Sequence, residues 1–152
     1  MSMKSPLLIW FAKSPLCEGL TEEEVASLFE LFEAKELPRG AVLYREGDPS
    51  DALYVMLEGH VEVSREGTEL GDVSPGGTVG EMSLLLESAT RSATVTAQVP
   101  ITVLRIGREQ FRAGIRERRV PAMLVANLAQ QLAERLARAN EHTAHKAATE
   151  IG

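Results

Sequence analysis

Two clusters of chemically competent residues bracket one stretch of the chain, Ser74 to Val95, which reads SPGGTVGEMSLLLESATRSATV. Gly80-Glu81 opens the apolar turn Met82-Ser83-Leu84-Leu85-Leu86, and Arg91-Ser92-Ala93 leads into Thr94-Val95-Thr96. Glycines ahead of a short helix leave backbone N–H groups facing outward, and a helix N-terminus adds partial positive charge, so the first cluster suits an anion. Arg91 adds a fixed cation with a forked set of donors for phosphate oxygens. Glu81 needs another task, because a carboxylate beside an anion is repulsive. Accepting hydrogen bonds from sugar hydroxyls is such a task. The set describes a pocket for a ribose and its phosphate. Taken singly, a Gly-Glu pair or an arginine near a strand says little, since short motifs match by chance. The whole set, in order, is far more specific.

This stretch resembles the phosphate-binding cassette of cyclic-nucleotide-binding domains, as found in catabolite-activator-type regulators, protein-kinase regulatory subunits and gated ion channels. The shared pattern is Gly-Glu, a short apolar helix, a loop, then Arg, a small residue and Ala. The resemblance implies that Glu81 binds the ribose 2′-hydroxyl and that Arg91 binds the exocyclic oxygens of a cyclic phosphate. It implies further contacts from Ser92 and Ala93, and backbone contacts from Gly80, Met82 and Ser83. Apolar side chains of the fold would line the base, and the matching positions are Val63, Leu70 and Val73. For each of these three, ordinary core packing is the competing explanation. The chain departs from the family at Thr90, where many members have Pro, and at Val79, where an aromatic is common.

The whole chain of 152 residues suits one domain with a substantial core. Its apolar fraction of 44% and charged fraction of 25% are those of an ordinary globular protein. A net charge of −6 argues against general affinity for DNA or an anionic membrane, both of which reward a positive surface. One buried arginine and oriented amides still act locally on a small anion. The single Cys17 cannot form an internal disulfide, and with no secretory leader this predicts a cytoplasmic protein. The early apolar run Pro6–Ala12 is too short to span a bilayer. Packing by Trp10 and Phe11 explains it.

Along the chain, residues 1–37 read as a helical segment. Thr21 with Glu24 forms a capping box, and Val25, Leu28, Phe29 and Phe32 recur at helical spacing. Residues 38–107 change to short apolar runs with glycine corners at Gly40, Gly47, Gly59 and Gly80. That texture predicts an α+β protein built on an antiparallel β-roll, or jelly roll, with the cassette at 74–95. Glu66-Gly67 is one of its turns. Residues 108–142 return to helix, first Glu109–Ile115 with Phe111 and Ile115 facing inward, then from Pro121 to about His142. In the second helix Val125, Leu128, Leu132, Leu136 and Ala139 form one apolar stripe. Residues 143–152 read as a mobile polar tail. The basic run Arg105, Arg108, Arg112, Arg116, Arg118 and Arg119 reads as a solvated face, with docking of a partner as the alternative.

In the catabolite-activator branch, the long C-terminal helix pairs two subunits and presents polar side chains to the base. The resemblance therefore implies a homodimer through 121–142 as one arrangement, and Asn140 as a base contact. A single packed monomer is the other arrangement. Nothing after this helix provides room for a helix-turn-helix, so direct DNA binding is not expected. The reading is a non-enzymatic receptor for a cyclic mononucleotide, cAMP first, that signals to an unidentified effector protein by repositioning residues 108–142. Ser92 leaves cGMP open, because Thr at that position often accompanies cGMP preference. Three alternatives stand beside it: a cyclic-dinucleotide binder, an interaction module with a relic site, and a cupin-like metal enzyme. The last needs converging ligands, and His60, His142 and His145 do not supply them, so no metal is expected.

Overall fold

The run Ala52–Leu57 sets the architecture, because a strand buried along its whole length must be covered on both faces. A computed structural model describes residues 6–80, 90–114 and 119–151, with the side chains of 119, 121 and 139–151 outside the description. Helix α1 (Pro6–Ala12), a short 3-10 turn (Pro15–Cys17) and helix α2 (Glu22–Glu30) precede the strands. The strands are β1 (Glu33–Leu37), β2 (Val42–Tyr44), β3 (Ala52–Glu58), β4 (Val61–Arg65), β5 (Thr68–Val73), β6 (Thr78–Val79), β7 (Thr94–Ala97) and β8 (Ile101–Gly107). Helices α3 (Arg108–Gly114) and α4 (Arg119–Ile151) follow. The strands form two four-stranded antiparallel sheets, ordered β1-β8-β3-β6 and β2-β7-β4-β5. This is the expected β-roll with helices at both ends of the chain.

Strand alternation divides the core in two. Leu53, Val55 and Leu57 of β3, with Leu104 and Ile106 of β8, point to the helices and meet Phe11, Leu16, Leu28, Leu124 and Leu128. Ala52, Tyr54 and Met56, with Ile101 and Val103, point the other way and meet Val61, Val95 and Ala97 of the second sheet. The helix side is closed by three phenylalanines: Phe11 packs against Phe29 at 5.5 Å and against Phe32 at 5.1 Å between ring centroids. Trp10 instead lies at the surface with Lys13 over its ring at 5.0 Å. The capping box forms as expected. Thr21 N–H donates to Glu24 Oε1 (2.9 Å), and Glu24 N–H donates to Thr21 Oγ1 (3.2 Å).

Three sequence expectations are corrected. Residues 33–37 are not the end of a helical segment but strand β1, paired with β8 in the register Glu33↔Arg105 to Leu37↔Ile101. Glu, Ala, Lys and Leu are good helix formers, and edge pairing overrides that local preference. Helix α4 does not stop near His142 but continues to Ile151, through the residues read as a tail. Its buried stripe is Val120, Leu124 and Leu128, while Val125 and Leu136 are exposed. That rotation is fixed by Asn127, whose Nδ2 donates to Leu16 O (2.8 Å) and Glu18 O (2.9 Å) of the turn beneath. Helix α3 brings Phe111 against the core, as expected, whereas Ile115 lies outside the described residues.

Candidate ligand-binding site

Between the second sheet, β6 and helix α4 the core is left open as a cavity of about 1040 Å³. Val63 of β4, Leu70 and Val73 of β5, Gly80, and Arg91, Ser92 and Ala93 all line it, so the structure brings these seven expected residues to one place. Val63 and Val73 are partly buried extensions of the inter-sheet core, and Leu70 is 55% exposed at the rim. Glu81, Met82 and Ser83 lie outside the described residues, as does the side chain of Asn140.

Arg91 is the chemical centre. It is 5% exposed, and its backbone is fastened on both sides to the turn before β3. Arg91 N–H donates to Asp48 O (2.7 Å), and Arg91 O accepts from Gly47 N–H (2.9 Å). Thr90, where the family often has Pro, makes an antiparallel bridge with Pro49, so this loop is tied without the ring. The guanidinium is held with equal care. Nη1 donates to Ser50 Oγ (3.1 Å) and Nη2 to Ala52 O (2.9 Å). Asp51 Oδ1 stands 3.6 Å from Nη2, but its side chain is 65% exposed, so that ion pair adds little. The Tyr44 ring lies beneath, 4.0 Å from Arg91 Cζ to its centroid. Nε is buried with no hydrogen-bond partner among the described residues. A buried donor without a partner costs free energy that an incoming acceptor would recover.

Gly80 explains itself here. Its φ is +79°, and a Cβ at this position would meet Arg91 Nη1 and come 2.8 Å from Ala52 O. The backbone passes too close to the guanidinium for any side chain. Ser92 is exposed, with its carbonyl accepting from Arg65 Nε at 2.8 Å.

Helix α4 closes the cavity with residues that the motif did not mark. Gln131, Leu132, Arg135 and Arg138 line it. Thr78 Oγ1 donates to Gln131 Oε1 (3.1 Å), and Arg135 Nη2 donates to Thr78 O (3.3 Å), which straps the helix to β6 just before Gly80. No spacing rule marks these positions, because their role depends on where α4 crosses the roll. Arg105 of the basic run lies in β8, in register with Glu33 and Tyr54, and is not among the described residues lining the cavity. Among the described residues no group of three or more His, Cys, Asp or Glu side chains is arranged to hold a metal. No described helix is long and apolar enough to cross a membrane.

Comparison with known proteins agrees with this geometry. The family model described as "Cyclic nucleotide-binding domain" matches residues 34–118. The "Cyclic AMP receptor protein" of Thermus thermophilus is 37% identical over 134 residues, covering 84% of this chain and 59% of that protein. "Glutaminase 1" of Bradyrhizobium diazoefficiens is 37% identical over 132 residues, covering 85% of this chain but 21% of that protein. The chain therefore spans between a fifth and three fifths of these two relatives, in the proportions just given. Among solved structures, the N-terminal domain of a transcriptional regulator from Streptomyces coelicolor superposes with a TM-score of 0.73 at 31% identity, covering 82% of this chain and 93% of that one. The cassette, the roll around it and the family match point the same way: the chain belongs to the cyclic nucleotide-binding domain family.

Proposed function

We propose that the protein is a regulatory module that binds a cyclic mononucleotide, with cAMP the leading ligand, in the cavity around Arg91. The observation that carries this reading is a buried guanidinium whose Nε has no hydrogen-bond partner among the described residues and which lines a cavity beside apolar Val63 and Val73. The cyclic phosphate would take Nε and complete the arginine's hydrogen bonding, with Ser92 adjacent. Glu81, assigned from the motif, would hold the ribose hydroxyl. The base would lie against Val63, Leu70 and Val73. The name of the Thermus thermophilus relative supports cAMP, and Ser92 keeps cGMP as the next candidate.

Ligand binding shifts a conformational equilibrium only through unequal affinity for two states. Helices α3 and α4 are the elements we assign to that shift, because α4 closes the cavity and is strapped to Thr78. An effector protein, or a second copy meeting the exposed Val125 and Leu136 along 121–142, would read the change. The setting we infer is cytoplasmic. A second reading, a cyclic dinucleotide, is kept open by Arg135 and Arg138, which line the cavity from helix α4.

Calorimetric titration of protein stripped of nucleotide by unfolding and refolding tests these readings, with cAMP, cGMP and a cyclic dinucleotide as ligands. Micromolar binding of a cyclic mononucleotide, weakened by about 2–5 kcal/mol in Arg91→Ala, is the expected result. Unchanged affinity in that variant sinks the assignment.

A further inference from the structure

Arg91 bears the anion in the proposed site, and its guanidinium is held by residues from outside the cassette. The ring of Tyr44 is one of them. Tyr44 ends β2, in register with Val95 of β7, and is half-buried beside Tyr54 with centroids 6.1 Å apart and planes at 34°. Its face lies 4.0 Å from Arg91 Cζ, and both residues line the cavity. The guanidinium is thus covered on one face by an aromatic ring and held along its rim by Ser50 Oγ and Ala52 O.

The division of labour has a physical consequence. Hydrogen bonds to a guanidinium lie in its plane and consume N–H donors, whereas an aromatic face attracts the cation from above and consumes none. A ring can therefore offset the cost of burying this cation while leaving the Nε edge open. A carboxylate in the same place would compete with a phosphate for the same donors. Among the described residues Asp51 pairs with it at 3.6 Å from Nη2, through a side chain that is 65% exposed.

We propose that Tyr44 is a positioning residue of the site: its ring face holds the Arg91 guanidinium in the attitude that presents Nε to the phosphate of the ligand. This rests on the reading of the cavity as a cyclic-nucleotide site. Affinity then depends on the electron density of the ring at position 44 as well as on its volume.

The test is a series at this position, Tyr44→Phe followed by singly, doubly and triply fluorinated phenylalanine. Fluorination drains the ring face with little change in size, and the Phe variant is the reference because it removes the hydroxyl and keeps the face. Calorimetric Kd for cAMP is expected to rise in step with fluorination, by about fivefold across the series. Urea midpoints of the ligand-free proteins should fall in the same order with Arg91 present, and not in an Arg91→Ala background. A Kd that stays flat across the series, in wild-type-like folds that still bind cAMP, overturns the positioning role alone. If wild-type protein binds no cyclic mononucleotide, the reading of the cavity falls and the positioning role falls with it, whatever the midpoints show.

Discussion

The two sheets of the roll differ in how completely their faces are used. In the first, every residue from Ala52 to Leu57 is buried, because helices cover one face and the second sheet covers the other. In the second sheet, β7 alternates: Val95 and Ala97 are buried while Thr94 and Thr96 are only half-buried. Strand β3 of the first sheet is thus packed on both faces. The second sheet runs out of packing partners near Val63 and Val73, and the cavity begins there. The proposed site thus occupies an unfinished part of the core, where a ligand would complete the packing. Stability and binding should separate along this divide.

The largest effects should separate most cleanly. Leu104→Ala, on the helix side, should lower stability by about 2–5 kcal/mol in urea unfolding and leave the Kd of the folded fraction unchanged. Arg91→Ala should do the reverse, losing binding with little change in midpoint, because the cost of burying the cation disappears with its contacts. Equal losses of stability and affinity in either variant would break the comparison. Gly80→Ala should cross the divide, since it strains a residue at φ +79° and pushes on Arg91. About 1–3 kcal/mol of stability should go, and affinity with it, as read by denaturation and calorimetry on one sample. Thr21→Ala should cost about 1 kcal/mol by loss of the capping box, with Kd unmoved. At neutral pH the smallest effect is at Cys17, whose thiol burial pushes up from 9.0 to about 12. Folding favours its protonated form, so this contribution is intact below pH 9 and is lost as pH climbs toward 12. A thiol reagent at pH 8 should label Cys17 only as fast as the protein opens.

The two ends of the cassette are marked locally: Gly80, Arg91, Ser92 and Ala93 are named by type and order, and they line one cavity, while Glu81, Met82 and Ser83 lie outside the described residues. The strands were legible where one period dominates, as in Val61-Glu62-Val63. Strand β1 was not, because Glu33-Ala34-Lys35-Glu36-Leu37 favours helix locally and becomes a strand only by pairing with β8. Gln131, Arg135 and Arg138 were not legible either. Their place at the cavity depends on the rotation of α4, set by Asn127 reaching across to Leu16 and Glu18. The same rotation moved Val125 and Leu136 from an expected apolar stripe to the surface. Local rules name a residue's chemistry; long-range packing decides which residues meet.

The seat of Arg91 is made by chain far upstream, with Ser50 and Ala52 separated from it by 41 and 39 positions. Its backbone is tied to Gly47 and Asp48 in the same turn. Closing a loop of that length costs entropy before any of these contacts repays it, so the arginine's surroundings are expected to come together late in folding. A fluorescent cyclic nucleotide would then report the finished topology and lag behind helix formation in a stopped-flow refolding trace. By the same logic, a ligand held at Arg91 would stabilise only the native state, so it should slow unfolding and leave the rate of folding where it was.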